Sequence, residues 1–218
     1  MLHTTTNRGL HDFVASRVLV RYARTGLRAV DLGAGPGAMA ARLHSLGCDV
    51  IAVDRDSNGF EAEVPHVCLD FNHPDFSSHF AHFSFGLVTA IEVIEHVESP
   101  IGFLRNIGRL LTPGGVAVLT TPNVDSMPAR SKFLMQGKIR AMDERSEPTH
   151  ISPVFFDLFR RQFLPRAGLK LREHLLFPPD GYQLTRKPLA WLLRIASFAI
   201  SGDALLGDNH VFVLEAVA

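Results

Sequence analysis

The sequence predicts an α/β fold in which a doubly wound parallel sheet is covered by helices on both faces. Three observations predict it. Apolar runs of strand length alternate with amphipathic stretches from residue 28 to residue 120. Two of these runs end in an acid, at Asp54 and Asp70. The segment Val30-Asp31-Leu32-Gly33-Ala34-Gly35-Pro36-Gly37 places a glycine turn between an apolar run and an amphipathic one, which is how a nucleotide-type βα unit opens.

The elements follow in order. Residues 9–25 carry Phe13, Val14, Val18, Leu19 and Tyr22 at helical spacing. Arg28 to Leu32 reads as strand 1 and Pro36 to Leu46 as its helix. Strand 2 is Asp49 to Asp54, strand 3 lies within Val64 to Phe71, and strand 4 is Phe85 to Ile91. A helix over Pro100 to Leu111 is stopped by Thr112-Pro113-Gly114-Gly115, and Val116 to Thr120 forms strand 5. Residues 123–150 are mixed and polar, so they read as a long loop and a candidate lid. Pro153 to Phe163 reads as a helix with proline at its start, Leu169 to Phe177 as strand 6, and Pro178-Pro179-Asp180-Gly181 as a turn. Leu189 to Ile200 is an apolar helix, and Val211 to Val217 closes the sheet.

A single domain over residues 1–218 suits this length. With 46% hydrophobic residues the chain can bury a full core. Twenty-two basic and 22 acidic residues cancel, which argues against tight binding to nucleic acid. Cys48 and Cys68 lack metal spacing and read as buried thiols of a reducing compartment. The polar N-terminus lacks a signal core, so a cytoplasmic location is expected. Leu189 to Ile200, with Arg194 inside it, is too short to span a bilayer. Its first reading is core packing. With Trp191, Phe198, Arg186, Lys187 and Arg194 it is also compatible with peripheral membrane contact or a dimer contact. Nothing in the sequence sets an oligomeric state. The cluster Phe155, Phe156, Phe159 and Phe163 reads as core.

Gly33-x-Gly35-x-x-Ala38 also fits the permissive dinucleotide fingerprint. The acids around it discriminate. A pyrophosphate favours a helix N-terminus free of carboxylates. Asp31, Asp54 and Asp70 at adjacent strand ends suit instead a ligand with hydroxyls, an amine and a positive centre, which S-adenosylmethionine has.

On these motifs the chain resembles the class I S-adenosylmethionine-dependent methyltransferases over about residues 25–175. Val-Asp-Leu-Gly-Ala-Gly-Pro-Gly matches the first motif of that family, and the resemblance places Asp31, Gly33, Ala34, Gly35 and Gly37 around the cofactor. Asp54, followed by Arg55, matches the acid that holds the ribose hydroxyls. Asp70 and Phe71 match the pair that meets the adenine amine and flanks its ring. Phe85 to Val97 matches the strand-4 motif, adding Ile91 and Glu92 to the cofactor set, and Leu110 to Gly115 matches the bend before strand 5. The resemblance implies a mostly parallel seven-stranded sheet with an antiparallel last strand.

Glu92, Glu95 and His96 follow strand 4 at i, i+3 and i+4, so on a helix they would share one face. Two carboxylates and an imidazole so placed can hold a divalent ion or orient a base. The stretch resembles that of the O-methyltransferases of ubiquinone biosynthesis and of the enzymes that methylate the terminal ribose 2′-hydroxyl of small RNAs. That resemblance implies a metal set of Glu92, Glu95, His96 and His150, suited to magnesium, manganese, zinc or iron. Without metal, His96 or His150 would serve as general base and Glu95 would orient it. The expected activity is methyl transfer from S-adenosylmethionine to an oxygen of a small molecule, with residues 9–25, 123–150 and 178–206 as covers over the site. RNA ribose methylation, supported by Arg130, Lys132, Lys138 and Arg140, and a non-catalytic binding protein are the alternatives.

Overall fold

In a computed structural model, residues 6–82, 84–144, 148–185, 187–199 and 205–217 are described. Seven strands form one sheet: β1 (Arg28–Leu32), β2 (Asp49–Asp54), β3 (His66–Cys68), β4 (Phe85–Ile91), β5 (Leu111–Pro122), β6 (Leu169–Phe177) and β7 (Asn209–Ala216). Their order is β3-β2-β1-β4-β5-β7-β6. The first five pair in parallel, and β7 runs antiparallel between β5 and β6. The expected mostly parallel, doubly wound sheet with an antiparallel last strand is what forms. Strand order reverses beside β1, which opens a crevice at the carboxyl ends of β1 and β4.

The apolar runs explain the layers. Side chains alternate along each strand, so one strand serves two cores. Val30, Leu32, Val88, Ala90 and Leu119 face α3 (Pro100–Leu110), together with Phe76, Phe103, Phe159 and Phe212. Ala29, Leu87, Val118 and Val213 face the other way, against Leu10 and Val14 of α1 (Leu10–Arg17) and Met39 and Leu43 of α2 (Ala38–Ser45).

Several elements depart from expectation. The N-terminal helix over 9–25 is shorter: α1 stops at Arg17 and a separate 3₁₀ turn spans Leu19–Arg21. Strand 5 begins earlier, because Leu111 already pairs with Phe85 and the Pro113-Gly114-Gly115 stretch is a register shift within the pairing rather than a gap before it. Residues 123–150 are not one loop but carry α4 (Met127–Gln136), closed by Gly137 in the left-handed region. The helix expected at Pro153 starts at Phe156. It runs as α5 (Phe156–Leu158), a π turn (Phe159–Phe163) and α6 (Leu164–Ala167), carrying Pro165 in its last segment. Of its aromatic cluster only Phe159 is fully buried; Phe156 and Phe163 are half-buried and Phe155 is exposed. Cys48 is buried, but Cys68 ends the edge strand β3 and is exposed. The apolar helix is α7 (Lys187–Ala199), and its core reading fails: Leu189, Trp191, Leu192 and Ile195 are exposed. Arg186, Ile200 and the Phe198 side chain lie outside the described residues.

Candidate active site

The glycine turn is built by backbone pairing and close packing. The Gly33 and Ala34 N–H groups both donate to the Val53 carbonyl, which ties the turn to the end of β2. Gly33 has φ +74°, and a Cβ there would stand 2.4 Å from Val93 Cγ2, so only glycine fits. At Gly35, φ is +51° and a Cβ would meet nothing within 4 Å, which leaves bare backbone beside open space. That space is a cavity of about 910 Å³ at the carboxyl edge of the sheet. Gly33, Gly35, Asp54, Arg55, Asp70 and Phe71 line one side of it, and Ile91, Glu92, His96 and His150 the other.

Asp54 is held by the Gly35 N–H at 2.7 Å and the Arg55 N–H at 2.6 Å. Each oxygen keeps a further lone pair for a hydroxyl donor. Asp70 accepts from the Asn72 N–H at 3.0 Å. Phe71 is set edge-on to Phe76 and Phe103, which fixes its ring at the cavity wall. This bare glycine backbone, the carboxylate after β2 and the acid–aromatic pair after β3 fit the backbone, hydroxyl and ring groups of S-adenosylmethionine.

Asp31, Ala34, Gly37 and Glu95 are not among the lining residues. Strand parity explains Asp31: with Ala29 it points to the α2 side, where it is buried and Thr89 Oγ1 donates to it at 2.7 Å. Burial pushes its carboxyl up to about 7, against the easing of the Thr89 and Ala40 hydrogen bonds.

Behind β4 the chain does not form the α-helix that would align Glu92, Glu95 and His96. Glu92 has φ 57°, the left-handed region, and only Ile94–His96 forms a 3₁₀ turn. Glu92 is held in this conformation on several sides. Its N–H donates to Thr120 Oγ1 at 3.0 Å, and its carboxylate accepts from Thr120 Oγ1 and Asn209 Nδ2, each at 2.9 Å. Burial raises its carboxyl to about 7, and those donors oppose the rise. With both oxygens engaged, Glu92 does not join the metal-competent group. That group is Glu95, His96 and His150, whose ligand atoms lie within 4.8 Å of one another.

His150 comes from 54 residues downstream of His96, and the backbone delivers it. The Ile151 and Ser152 N–H groups both donate to the Glu95 carbonyl at 2.9 Å, and Ser152 Oγ donates to the Val97 carbonyl. The two imidazoles meet edge to face at 4.5 Å. His150 Nδ1 lies 2.7 Å from the Ala141 carbonyl, which can only accept. Nδ1 therefore carries the proton, and in the neutral ring Nε2 keeps a lone pair. The Thr149 hydroxyl meets His96 Nδ1 at 2.9 Å. Glu95 is fully buried, neither of its oxygens has a donor in full hydrogen-bond geometry, and burial together with the Glu92 carboxylate pushes its carboxyl well above the usual range. A buried, weakly hydrogen-bonded carboxyl group beside two imidazoles is a donor set that a divalent cation fits, with the cation taking the place of the carboxyl proton.

Sequence reasoning did not find Thr6, Asn7, Asn123, Asp208 or Asn209, which also line the cavity. They come from the chain's start, the turn after β5 and the entry to β7, and carry no local motif.

A doubly wound sheet with this glycine turn and these acids at its carboxyl edge defines a methyltransferase fold of the S-adenosylmethionine type. The model of the methyltransferase domain family matches residues 5–174, and the chain belongs to that family. S-adenosylmethionine is the cofactor that this membership implies. The ubiquinone biosynthesis O-methyltransferase of Roseobacter denitrificans is 36% identical over 104 residues, 45% of this chain and 42% of its own. That of Ruegeria pomeroyi is 28% identical over 188 residues, 81% of this chain and 70% of its own. The matches span 41 to 47% of the length of the first three curated relatives. Among solved structures, a SAM-dependent methyltransferase from Archaeoglobus fulgidus superposes with a TM-score of 0.61, covering 95% of each chain at 16% identity. An S-adenosylmethionine-dependent methyltransferase from Clostridium acetobutylicum gives 0.62, covering 98% of this chain and 94% of its own at 11% identity. These two share the fold.

Proposed function

We propose that the protein transfers the methyl group of S-adenosylmethionine to a hydroxyl oxygen of a small molecule. The observation that carries this reading is the pairing of His96 with His150 on the wall of the cavity that the glycine turn lines. Asp54 would accept the ribose hydroxyls, Asp70 the adenine amine, and Phe71 would flank the ring. The His150 Nε2 lone pair would take the proton of the acceptor hydroxyl. The oxygen lone pair then forms a bond to the methyl carbon as the carbon–sulfur bond breaks, and the sulfonium becomes a neutral thioether. Holding oxygen, carbon and sulfur in line is the main task of the cavity.

With a divalent cation held by Glu95, His96 and His150, the His150 Nε2 lone pair would serve as a ligand instead of a base, and the cation would lower the pKa of a hydroxyl beside it. The similarity to ubiquinone biosynthesis O-methyltransferases supports oxygen as the acceptor atom. RNA as acceptor keeps only Arg130 of its sequence support, because Lys132, Lys138 and Arg140 are paired with Asp143, Glu144 and Asp208.

The test is a labelled-methyl assay with S-adenosylmethionine and a panel of catechols and simple phenols, run with and without added magnesium, manganese or zinc. Label in a methyl ether is the expected result. Cofactor binding by calorimetry with label passing only to amines or carbon would overturn the assignment to oxygen. Absence of cofactor binding would overturn the whole reading.

A further inference from the structure

We propose that the tip of α4 and the outer face of α7 form a docking surface for a membrane rich in anionic lipid. Phe133, Leu134 and Met135 are 58%, 87% and 72% exposed. Successive helical residues point about 100° apart, so exposing three in a row means that the helix end protrudes. α7 packs against α4. It exposes Trp191, Leu192 and Ile195 along one face, at the i, i+1 and i+4 spacing of a stripe. A protruding end beside an apolar stripe suits entry into a soft apolar phase.

Charge names the lipid. Residues 126–142 contain Arg130, Lys132, Lys138 and Arg140 and no acid, and residues 181–202 contain Arg186, Lys187 and Arg194 and no acid. Three of these seven are neutralised, by Asp143, Glu144 and Asp208. Arg130, Lys187 and Arg194 are exposed, and no acid pairs with them among the described residues. On α7, Lys187 and Arg194 lie seven residues apart, along the edge of the Trp191 face. Long basic side chains bordering an apolar face can reach anionic headgroups while the face enters the acyl boundary. No described helix is long and apolar enough to cross a membrane, so the contact is peripheral. Lys132 and Leu184, from the same two regions, line the cavity, so a docked protein would hold its site close to the lipid.

The experiment is vesicle co-sedimentation of the full chain, with phosphatidylcholine alone and with phosphatidylcholine containing phosphatidylglycerol. It needs no turnover, so its failure is distinct from failure of the methyl-transfer reading. The wild type is expected to sediment with anionic vesicles only, and less as salt rises. Leu134→Glu with Trp191→Glu is expected to lower the partition coefficient about tenfold or more, and Lys187→Glu with Arg194→Glu to do the same. Both pairs should leave Tm and S-adenosylmethionine binding unchanged. Equal sedimentation with pure phosphatidylcholine would overturn the assignment to anionic lipid. No sedimentation with either vesicle would overturn docking. So would a wild-type dimer, seen by light scattering, that Leu134→Glu with Trp191→Glu converts to monomer while vesicle binding is absent; the face would then belong to a second copy.

Discussion

At the scale of single residues, the sharpest division is between Asp54 and His96. Asp54 already accepts two backbone N–H groups, so its charge is held in place before any ligand arrives. Removing it in Asp54→Ala should weaken S-adenosylmethionine binding by about a hundredfold in calorimetry, the worth of two hydroxyl bonds to a charged acceptor. His96→Ala should leave that affinity within about twofold and lower turnover by about a hundredfold, because it removes the ring packed against the base His150 and a member of the cation set. Unchanged turnover would remove His96 from the chemistry. Asp31 acts on stability instead. Its carboxyl is raised to about 7 in the fold, so between pH 4 and pH 7 the native state keeps a proton that the unfolded chain gives up. Stability therefore falls as pH rises through that window, by up to about 4 kcal/mol from this group. Denaturant melts at pH 4 and pH 7 should show a smaller fall in Asp31→Asn; an identical fall would assign the effect elsewhere. The sequence showed that an acid precedes the glycine turn but not which way it points, because parity becomes visible only once Asp31 is paired with Thr89.

At the scale of elements, legibility tracked the strength of the pattern. β1, β2, β4 and β6 match their expected bounds. The first three are mostly apolar runs ended by a turn or an acid, and β6, which carries Lys170, Arg172, Glu173 and His174, is ended by the turn that starts at Pro178. α3 was legible from the stop at Thr112-Pro113-Gly114-Gly115, and its start is fixed by Ser99 and Pro100. The Ser99 hydroxyl oxygen accepts from the Gly102 N–H, so Ser99→Ala should cost about 1 kcal/mol and lower Tm by about 2–4 °C in a thermal melt. α4 was hidden because its apolar residues are not gathered on one face: Met127 and Ala129 are buried while Phe133, Leu134 and Met135 are exposed. The stretch from Phe156 to Ala167 was mistimed for another reason. Its π turn shifts the helical phase at Phe159, which lies stacked on Phe212 at 4.4 Å between ring centroids. Phe159→Ala should therefore cost about 3–5 kcal/mol in denaturant unfolding, the usual penalty for emptying an aromatic site in a core.

At the scale of the whole molecule, the parallel sheet covered on both faces was implied by the chain's alternation, but the strand order and the cavity's far wall were not. That wall is assembled from the two chain ends and the turn after β5, and such pairings over long sequence separation leave no periodic trace. Glu92 accepts from Asn209, and Asn209 in turn accepts from Asn7, so a strained residue behind β4, the entry to β7 and the start of the chain form one hydrogen-bonded run. Thr6 and Asn7 also border the cavity, and Arg8 next to them is exposed. Peptide-bond cleavage after Arg8 thus becomes a reporter of what the cavity contains. Trypsin must draw this segment away from Asn209 to reach the bond, and a ligand that binds only the closed arrangement makes that opening rarer. Saturating S-adenosylhomocysteine should slow the cut after Arg8 in wild type more than in Asn209→Ala. Equal slowing in both would show that the start of the chain closes over the ligand without the Asn209 link.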